Sequence, residues 1–520
     1  MQDQDKIISA EKAVEIIKTG DTVVSEGFVG GNFPEHLAIA LEERFLKTGT
    51  PNDLTFVYVA GQGDGKDKGM NHFAHKGLVK RLIGGHTGLA PKLGAMALNN
   101  QIEAYNFPQG TISHLLRDIA AKRPGSITKV GLKTFVDPRI EGGKVNSITT
   151  EDLVELIEID QEEYLRYKPF PIDIALIRGT TADTRGNITF EKECLVLENL
   201  AAAMAVKNSG GKVIVQVERV AEFGSLPARQ VIIPGILVDH VVVSPQKNHM
   251  QTFGEQYSPA YAGKIRIPIS QVAPLELDAV KVIGRRAVQE IKKGMIGNMG
   301  IGVPENVPRV ASEEGILDYI TFTVEPGPIG GIPVGGLSFG AAINMECLIE
   351  EPQMFDFYDG GGLDITFLGM AQIDKKRNNN VSRFGKKFPG CGGFINISQN
   401  SKKVVFMGTF TTNGLKTRVS NGKLIIDQEG KIKKFIKEVE QITFSGELGA
   451  QKGQDVLYIT ERAVFKLTLD GIELIEIAPG IDLEKDILAN MGFIPIISKD
   501  LTQMNHNYFK PELVGFKSGE

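Results

Sequence analysis

Three features are scarce in this sequence: cysteine, histidine and long apolar runs. The 520 residues include three cysteines and no C-x-x-C pair, which excludes a disulfide framework and a cysteine-rich zinc site. The eight histidines are scattered and form no H-E-x-x-H motif, so we expect no metal centre. The most apolar stretch, residues 231–244, is interrupted by Pro234, Asp239 and His240, and no run reaches the roughly 18 apolar residues of a membrane span. The N-terminus lacks the basic and apolar segments of a signal peptide, so we expect a cytoplasmic protein without a membrane partner.

A strong excess of one charge is also missing. The 58 basic and 63 acidic side chains give a net charge of −5, which argues against a nucleic-acid-coating protein and a polybasic membrane binder. Glycine is plentiful by contrast, with 59 residues. It occurs in tight clusters and at no fixed period, which excludes collagen-like and low-complexity chains. The length corresponds to about three to four domain-sized units.

The sequence contains an internal repeat. Residues 13–20 and 287–294 share the pattern A-V-x-x-I-K-x-G, and a glycine-rich turn ending in Pro-Glu follows each of them. Because such matches keep their order along the chain, they indicate two related halves. A second matched pair contains an apolar strand and two aspartates ten residues apart: residues 172–190 with Asp173 and Asp183, and residues 363–384 with Asp364 and Asp374.

Predicted strands and helices alternate along the chain, as in α/β proteins. Patterns with helical period predict helices at residues 10–20 and 149–159, the second capped by Thr149 and Thr150. Three prolines and no helical period indicate an extended linker over residues 257–278. Apolar runs predict strands buried on both faces, as in parallel sheets, at residues 54–60, 212–218, 231–243 and 402–410.

We therefore expect an α/β fold of two tandem, similar domains with mainly parallel sheets. The predicted N-terminal domain spans residues 1–256, and the predicted C-terminal domain spans residues 279–520. Ligands of such sheets bind at the carboxyl ends of the strands, where glycine-rich turns begin.

Several short motifs resemble catalytic signatures only in part. Ser338 lies in a G-x-S-x-G pattern typical of serine hydrolases, but the only histidine downstream of it is His506, near the end of the chain. The glycine-rich segments 60–67 and 300–305 depart from the phosphate-loop and dinucleotide-binding patterns. His86 lies in a glycine-rich turn, GGHTG, where either a substrate contact or a purely structural role is open.

The most informative segment is residues 318–334. Residues 319–324 alternate as a strand, and Glu325 follows where the strand ends. Pro326 disfavours the helical conformation for Glu325, and Gly330 and Gly331 leave room for a ligand. The segment predicts a carboxylate displayed over a glycine-lined space at the carboxyl end of a strand, with an ordinary surface glutamate as the alternative.

Glu325 and the glycines after it resemble the E-x-G-x-x-G motif of the nucleophilic glutamate in family I coenzyme A (CoA) transferases. The length of the chain and the segment KVIGRRA at residues 281–287 are similar to the single-chain propionate and short-chain acyl-CoA:acetate CoA-transferases of that family. Pro326 is a departure, since we expect Ser or Asn there, and proline has no N–H to donate. Further family signatures follow in order: residues 27–35, 108–111, 175–190, 357–369 and 389–397.

This resemblance implies a CoA-transferase-like, NagB/RpiA-like fold with the active site between its two domains. It implies reversible transfer of CoA between short-chain acyl-CoA, such as acetyl-, propionyl-, butyryl- or acetoacetyl-CoA, and free carboxylates such as acetate. The route is ping-pong through a glutamyl-CoA thioester on Glu325. CoA is then a substrate and no cofactor is tightly bound. The resemblance further implies a homo-oligomer, with a tetramer expected. A short-chain acyl-CoA hydrolase on the same scaffold is the alternative.

The chemistry asks for few residues. Glu325 attacks the thioester as a carboxylate, the usual form of glutamate at neutral pH, and needs no general base. Each tetrahedral intermediate needs hydrogen-bond donors for its oxyanion, for which the candidates are Val29, Gly30, Gln109, Gly392 and Gly393. For the pantetheine arm of CoA we expect a turn formed by Gly297, Asn298, Met299 and Gly300.

Overall fold

Two large sheets, one in each half of the chain, organise the fold. The structure is a computed structural model that describes residues 6–268 and 274–516. Strand labels below refer to these two sheets. The strands of the first sheet are β1 (Thr22–Ser25), β2 (Leu54–Tyr58), β3 (Val79–Gly84), β4 (Glu103–Asn106), β5 (Ile174–Arg178), β6 (Lys212–Val217) and β7 (His240–Val243). All are parallel, in the order β7-β6-β5-β1-β2-β3-β4.

Helices cover both faces of the first sheet: α1 (Ala10–Glu15), α2 (Glu35–Thr48), α3 (Pro91–Leu98), α4 (Gln109–Ala120) and α5 (Asn199–Asn208). Because side chains alternate along a strand, neighbouring residues face different layers. Val24 and Val57 pack with α4 and α5, whereas Val23 and Phe56 pack with α1 and α2. All five residues of β5 are buried, as the continuous apolar run predicts.

The second sheet has ten strands: β8 (Met295–Met299), β9 (Ile320–Thr323), β10 (Pro328–Ile329), β11 (Cys347–Leu348), β12 (Ile365–Gly369), β13 (Lys403–Met407), β14 (Asp455–Ile459), β15 (Ala463–Leu467), β16 (Ile472–Ile477) and β17 (Ile496–Gln503). Their order is β11-β10-β9-β8-β12-β13-β14-β15-β16-β17, and the five neighbouring strands β9, β8, β12, β13 and β14 are parallel. The helices of this half are α6 (Ala279–Ala287), α7 (Val307–Glu313), α8 (Glu351–Asp359), α9 (Phe394–Asn400) and α10 (Gly446–Gln451).

Smaller sheets and hairpins decorate the two halves. In the first half they comprise Ser126–Thr128, Val154–Ile159 and Glu162–Tyr167, and a second group of Thr181–Asp183, Ile188–Thr189, Arg219–Ala221 and Val231–Ile233. In the second half, three two-stranded sheets pair Ile332–Pro333 with Ala342–Ile343, Thr411–Thr412 with Ile432–Lys433, and Lys416–Ser420 with Lys423–Gln428. A three-stranded sheet contains Asn379–Asn380, Gln372–Asp374 and Phe435–Ile436.

The internal repeat has a structural counterpart. The order β7-β6-β5-β1-β2 in the first half matches β14-β13-β12-β8-β9 in the second. The paired aspartates also make equivalent hydrogen bonds: Asp173 accepts the N–H of Thr22 at 2.8 Å, and Asp364 accepts the N–H of Ile296 at 2.9 Å. Asp183 and Asp374 each bind the backbone N–H groups two and four residues later. The predicted α/β fold with mainly parallel sheets is confirmed.

Two local expectations need correction. The helix predicted over residues 149–159 is wrong, because Val154–Ile159 and Glu162–Tyr167 form an antiparallel hairpin. Asp160 and Gln161 make its two-residue turn with φ of 51° and 67°, the left-handed conformation that such hairpins require. The predicted linker is not simply extended, since turns occupy part of residues 257–268; residues 269–273 lie outside the described residues. The domain boundaries at residues 256 and 279 stay a prediction.

Candidate active site

A cavity of about 200 Å³ lies between the two halves of the chain. Most of its lining is apolar, and its titratable side chains include His86 and Glu325. The first half contributes Phe28, Val29, His86, Leu89 and Gln109, and the second half contributes Gly300, Ile301, Glu325, Phe339, Gly392 and Gly393, among others. An apolar cleft with a few polar groups is the usual form of a small-molecule site.

Glu325 is held by a tight turn after β9. The N–H of Gly327 donates to the carbonyl of Val324 at 3.0 Å and closes the turn. Gly327 has φ of 125°, and a Cβ there would lie 2.0 Å from the carbonyl oxygen of Ile349, so only glycine fits. Because this turn uses the N–H of Gly327, a proline at position 326 does not disturb it.

The environment of Glu325 changes its acidity. Burial raises the pKa of the carboxyl group to about 7, and a hydrogen bond from Gln109 opposes this shift. The expectation that Glu325 is fully ionised at neutral pH therefore needs correction. Near pH 7 the ionised and protonated forms of Glu325 therefore coexist.

Backbone hydrogen bonds join the two halves at the site. The turn formed by residues 389–393 contacts the first half through several of its peptide groups. The N–H of Thr87 donates to the carbonyl of Pro389 at 2.6 Å, and the N–H of Gln109 donates to the carbonyl of Gly392 at 2.9 Å. At the cavity the two halves are therefore joined by hydrogen-bonded loops and are not separated by an open gap.

Gln109 is the first residue of α4, next to Glu325. Its Nε2 donates to Oε1 of Glu351 at 2.8 Å, and the same amide hydrogen bonds Glu325. The carboxamide therefore lies between two glutamates from the second half. Sequence reasoning missed Glu351, because its sequence context carries no motif and its contact with Gln109 spans 242 residues.

The other oxyanion candidates differ in the state of their N–H groups. The N–H of Val29 donates to Gly61 at 2.7 Å, and that of Gly392 donates to Gly85 at 2.8 Å, so both are engaged. Among the described residues, the N–H of Gly393 has no acceptor, and a Cβ at Gly393 would lie 2.6 Å from Oε2 of Glu325. Gly30 packs closely on Phe253 instead of lining the cavity.

The segment predicted to form a CoA-binding turn is mostly strand. Gly297, Asn298 and Met299 belong to β8; Gly297 and Asn298 pair with strands on both sides, and Met299 pairs with β12. Asn298 is buried and its Nδ2 donates to the hydroxyl of Tyr358 at 3.2 Å. Only Gly300 of the predicted group lines the cavity. The turn expectation for residues 297–299 is wrong, because the position of β8 within the sheet engages their backbone in strand pairing.

His86 and Ser338 have clear positions. His86 lines the cavity, and burial lowers its pKa to about 4, so the imidazole is neutral near pH 7. Ser338 lies in a short 3-10 helix, Gly336–Ser338, and its hydroxyl hydrogen bonds that of Thr252 at 2.8 Å. No histidine contacts Ser338 in the described part of the chain, which excludes the triad geometry there.

Within residues 6–268 and 274–516, no group of three or more His, Cys, Asp or Glu side chains is arranged to hold a metal ion. Over the same residues, no helix has the length and apolar character needed to cross a bilayer.

Comparison with known proteins decides the family. A profile described as Coenzyme A transferase matches residues 7–244. The chain is 49% identical over 516 residues to caffeate CoA-transferase of Acetobacterium woodii, with 98% of each chain covered. This chain belongs to the coenzyme A transferase family. It is also 45% identical to acetate CoA-transferase YdiF of Escherichia coli strain K12, covering 98% of this chain and 96% of that one.

A solved structure supports the same conclusion for the fold. The acyl-CoA transferase YdiF of Escherichia coli O157:H7, described as a thioester complex with CoA, has a TM-score of 0.94 and 43% identity, and the match covers 99% of this chain and 98% of that one. The predicted family, fold class and enzyme class are confirmed. The protein is a CoA-transferase that moves CoA between acyl-CoA and carboxylates, and the comparisons do not favour the hydrolase alternative.

Proposed function

We propose that this transferase acts on short-chain acyl-CoA and small carboxylates such as acetate, and that Glu325 carries CoA as a thioester between two half-reactions. One observation carries the proposal: the Glu325 carboxyl group lies in the cavity between the halves, beside the Gln109 amide and in close contact with Gly393. A carboxylate in this position attacks a thioester without a general base.

The reaction proceeds in two balanced half-reactions. Ionised Glu325 attacks the acyl-CoA carbonyl, the C–S bond breaks, and an acyl-glutamyl anhydride and CoA thiolate form. The thiolate then attacks the glutamyl carbonyl, which releases the first acid as a carboxylate and leaves the Glu325-CoA thioester. The acceptor carboxylate reverses these steps and leaves as the new acyl-CoA.

Two donors are available for the oxyanions of these steps. The N–H of Gly393 has no acceptor among the described residues, this glycine adjoins the Glu325 carboxyl group, and the Gln109 amide lies beside the same group. Loss of one such donor typically lowers the rate by roughly 10²–10³-fold. The apolar lining excludes water, which protects the anhydride from hydrolysis.

The cavity supports small, mainly apolar acyl groups. Its volume of about 200 Å³ is shared by the acyl group and the end of the pantetheine arm. Phe28, Leu89 and Phe339 supply apolar walls, and the described residues that line the cavity include no lysine or arginine to pair with a second carboxylate. We therefore place monocarboxylates before dicarboxylates. One methylene changes binding by only about 1–3 kcal/mol, so several chain lengths are accepted.

Steady-state kinetics with a panel of acceptors tests the proposal. Acetyl-CoA is the donor, and acetate, propionate, butyrate, lactate and succinate are the acceptors. We expect parallel lines in double-reciprocal plots, as in ping-pong transfer, and a kcat/KM for succinate at least tenfold below that for propionate. Intersecting lines would contradict the covalent intermediate, and a preference for succinate would contradict the substrate class.

We also propose, from the family resemblance, a cytoplasmic homo-oligomer with four copies. The exposed isoleucines near the edge strand β17, Ile494 at 84% and Ile496 at 41% exposure, support self-association, because such side chains favour burial. Light scattering after size-exclusion chromatography tests it: four times the 56.6 kDa chain mass is expected, and a monomer would refute it.

A further inference from the structure

A row of buried carboxyl groups lies behind Gln109, away from the substrate cavity. Glu351 begins α8, Glu198 precedes α5 and Glu26 follows β1. Their relative exposures are 0%, 1% and 0%. Across the described residues none of the three forms a salt bridge with a basic side chain. Three buried acids without a cation need another arrangement to be tolerated.

Protonation is the arrangement that makes these buried carboxyl groups tolerable, because it removes their negative charge. Oε2 of Glu351, Oε2 of Glu198 and both carboxyl oxygens of Glu26 are buried without a hydrogen-bond donor among the described residues, and Glu198 lies close enough to both of the other carboxyl groups for their charges to interact. Two carboxyl groups hydrogen bond only when at least one of them carries a proton. Burial accordingly raises the pKa of Glu351 and Glu198 well above the ordinary value. Burial therefore favours the protonated form of Glu351, which does not repel the nearby Glu325 carboxylate.

The row ends on the Gln109 carboxamide. A neutral Glu351 donates its O–H towards Glu198 and keeps Oε1 as an acceptor for Nε2 of Gln109, at 2.8 Å. An amide has its two N–H donors on one atom and its acceptor oxygen on the other. The bond to Glu351 therefore fixes which way round the amide lies, and it directs the second N–H towards Glu325.

We propose that Glu351 is a positioning residue that sets the orientation of the Gln109 carboxamide for catalysis. This inference rests on the proposed role of Glu325 as nucleophile. The backbone N–H of Gln109 donates to Gly392 and fixes the main chain, but it leaves the last side-chain torsion free. Without the acceptor on Glu351, the amide turns over and presents its oxygen to Glu325, where it repels the carboxylate and the developing oxyanion.

Four variants test the proposal in the full-length enzyme. Glu351→Met removes the acceptor at similar volume, and Glu351→Gln keeps a carbonyl that accepts from Gln109. Gln109→Leu removes the amide, and it is combined with Glu351→Met in a double variant. Glu350→Gln is the matched control, because Glu350 is the neighbouring residue and is only partly buried. The readouts are the single-turnover rate of CoA transfer to Glu325 and the KM for acetyl-CoA.

The expected pattern distinguishes positioning from general damage. Glu351→Met lowers the rate about 30–100-fold with KM changed less than about threefold, because the interaction acts in the transition state. Glu351→Gln retains the rate within about fivefold. The double variant is no slower than Gln109→Leu alone, since Glu351 acts only through Gln109. Glu350→Gln matches wild type.

Three results overturn the inference: a wild-type rate in Glu351→Met, a loss in Glu351→Gln as large as in Glu351→Met, or a double variant slowed by the product of the single effects. Circular dichroism and thermal unfolding check each variant, and Glu351→Leu replaces Glu351→Met should the latter not fold. The failure of the proposed function looks different, because the wild-type enzyme would then form no CoA adduct on Glu325.

Discussion

The acidity of Glu325 gives a quantitative prediction for the pH dependence of the first half-reaction. Burial raises the pKa of this carboxyl group to about 7, and in the proposed mechanism only the ionised form attacks the thioester. With that pKa, about 3% of Glu325 is ionised at pH 5.5, whereas an ordinary glutamate would be about 90% ionised. The rate of CoA adduct formation should therefore fall roughly 30-fold between pH 8 and pH 5.5.

Single-turnover rapid quench with acetyl-CoA measures this rate directly. The kcat/KM for acetyl-CoA should rise with pH and level off above about pH 7.5, because it reports the free enzyme. Gln109→Leu should move the midpoint to higher pH, since it removes a hydrogen bond that favours the ionised form. A profile that stays flat down to pH 5.5 in a folded enzyme would show that ionisation of Glu325 does not control the rate.

A control separates Glu325 from a second group. Burial also raises the pKa of Glu26 to about 7, so a midpoint in that range could originate there. Glu26→Gln removes this group at nearly constant shape. The midpoint of the rate profile should remain in place in this variant. A midpoint that disappears in Glu26→Gln would assign the titration to the buried row instead of to the nucleophile.

Three further predictions follow from the site. Glu325→Gln should raise the free energy of unfolding by about 1–3 kcal/mol at pH 8 and leave it unchanged at pH 4, a range that partial exposure of the side chain lowers from the value for full burial. The wild-type folded state holds the proton of Glu325 up to about pH 7 and therefore loses stability as the pH rises from 4.5 to 7. Guanidinium titrations that show equal stability of the variant and the wild type at pH 8 would contradict this prediction. Gly393→Ala should slow adduct formation at least about tenfold, because the added Cβ would lie 2.6 Å from Oε2 of Glu325. Gly94→Ala is the control and should match wild type, since no atom lies nearer than 3.5 Å to its Cβ. Equal rates for the two variants would show that the close approach of Gly393 to Glu325 is unimportant. Ser338→Ala should transfer CoA from acetyl-CoA at a rate within about twofold of wild type. Loss of transfer activity in the folded variant would instead support a mechanism that uses Ser338.

Sequence patterns predicted the parts of the site that are local. Glu325 follows a strand and precedes a proline and several glycines, so its display at the end of β9 could be anticipated from neighbouring residues. Gln109 and the glycines at 392 and 393 lie in segments that resemble family signatures. The parallel sheets followed from apolar runs such as residues 212–218, which contain the largely buried strand β6.

The remaining features depend on distant contacts. Glu351 lies in an ordinary helix start, and only the fold brings it within 2.8 Å of Gln109. The raised pKa of Glu325 reflects burial by both halves, which a single segment does not reveal. The helix predicted over residues 149–159 failed because its apolar residues also suit a strand, and the turn at Asp160 and Gln161 contains no glycine to mark a hairpin.

Covalent attachment of CoA to Glu325 is the step on which the proposed function depends, and peptide mass spectrometry detects it. The enzyme is incubated with acetyl-CoA in the absence of an acceptor acid, digested and analysed beside the Glu325→Gln variant. The account predicts a CoA-sized adduct on the peptide that contains Glu325, absent from the variant and discharged by acetate. Consumption of acetyl-CoA without any adduct on that peptide, or an adduct that persists in Glu325→Gln, would contradict it.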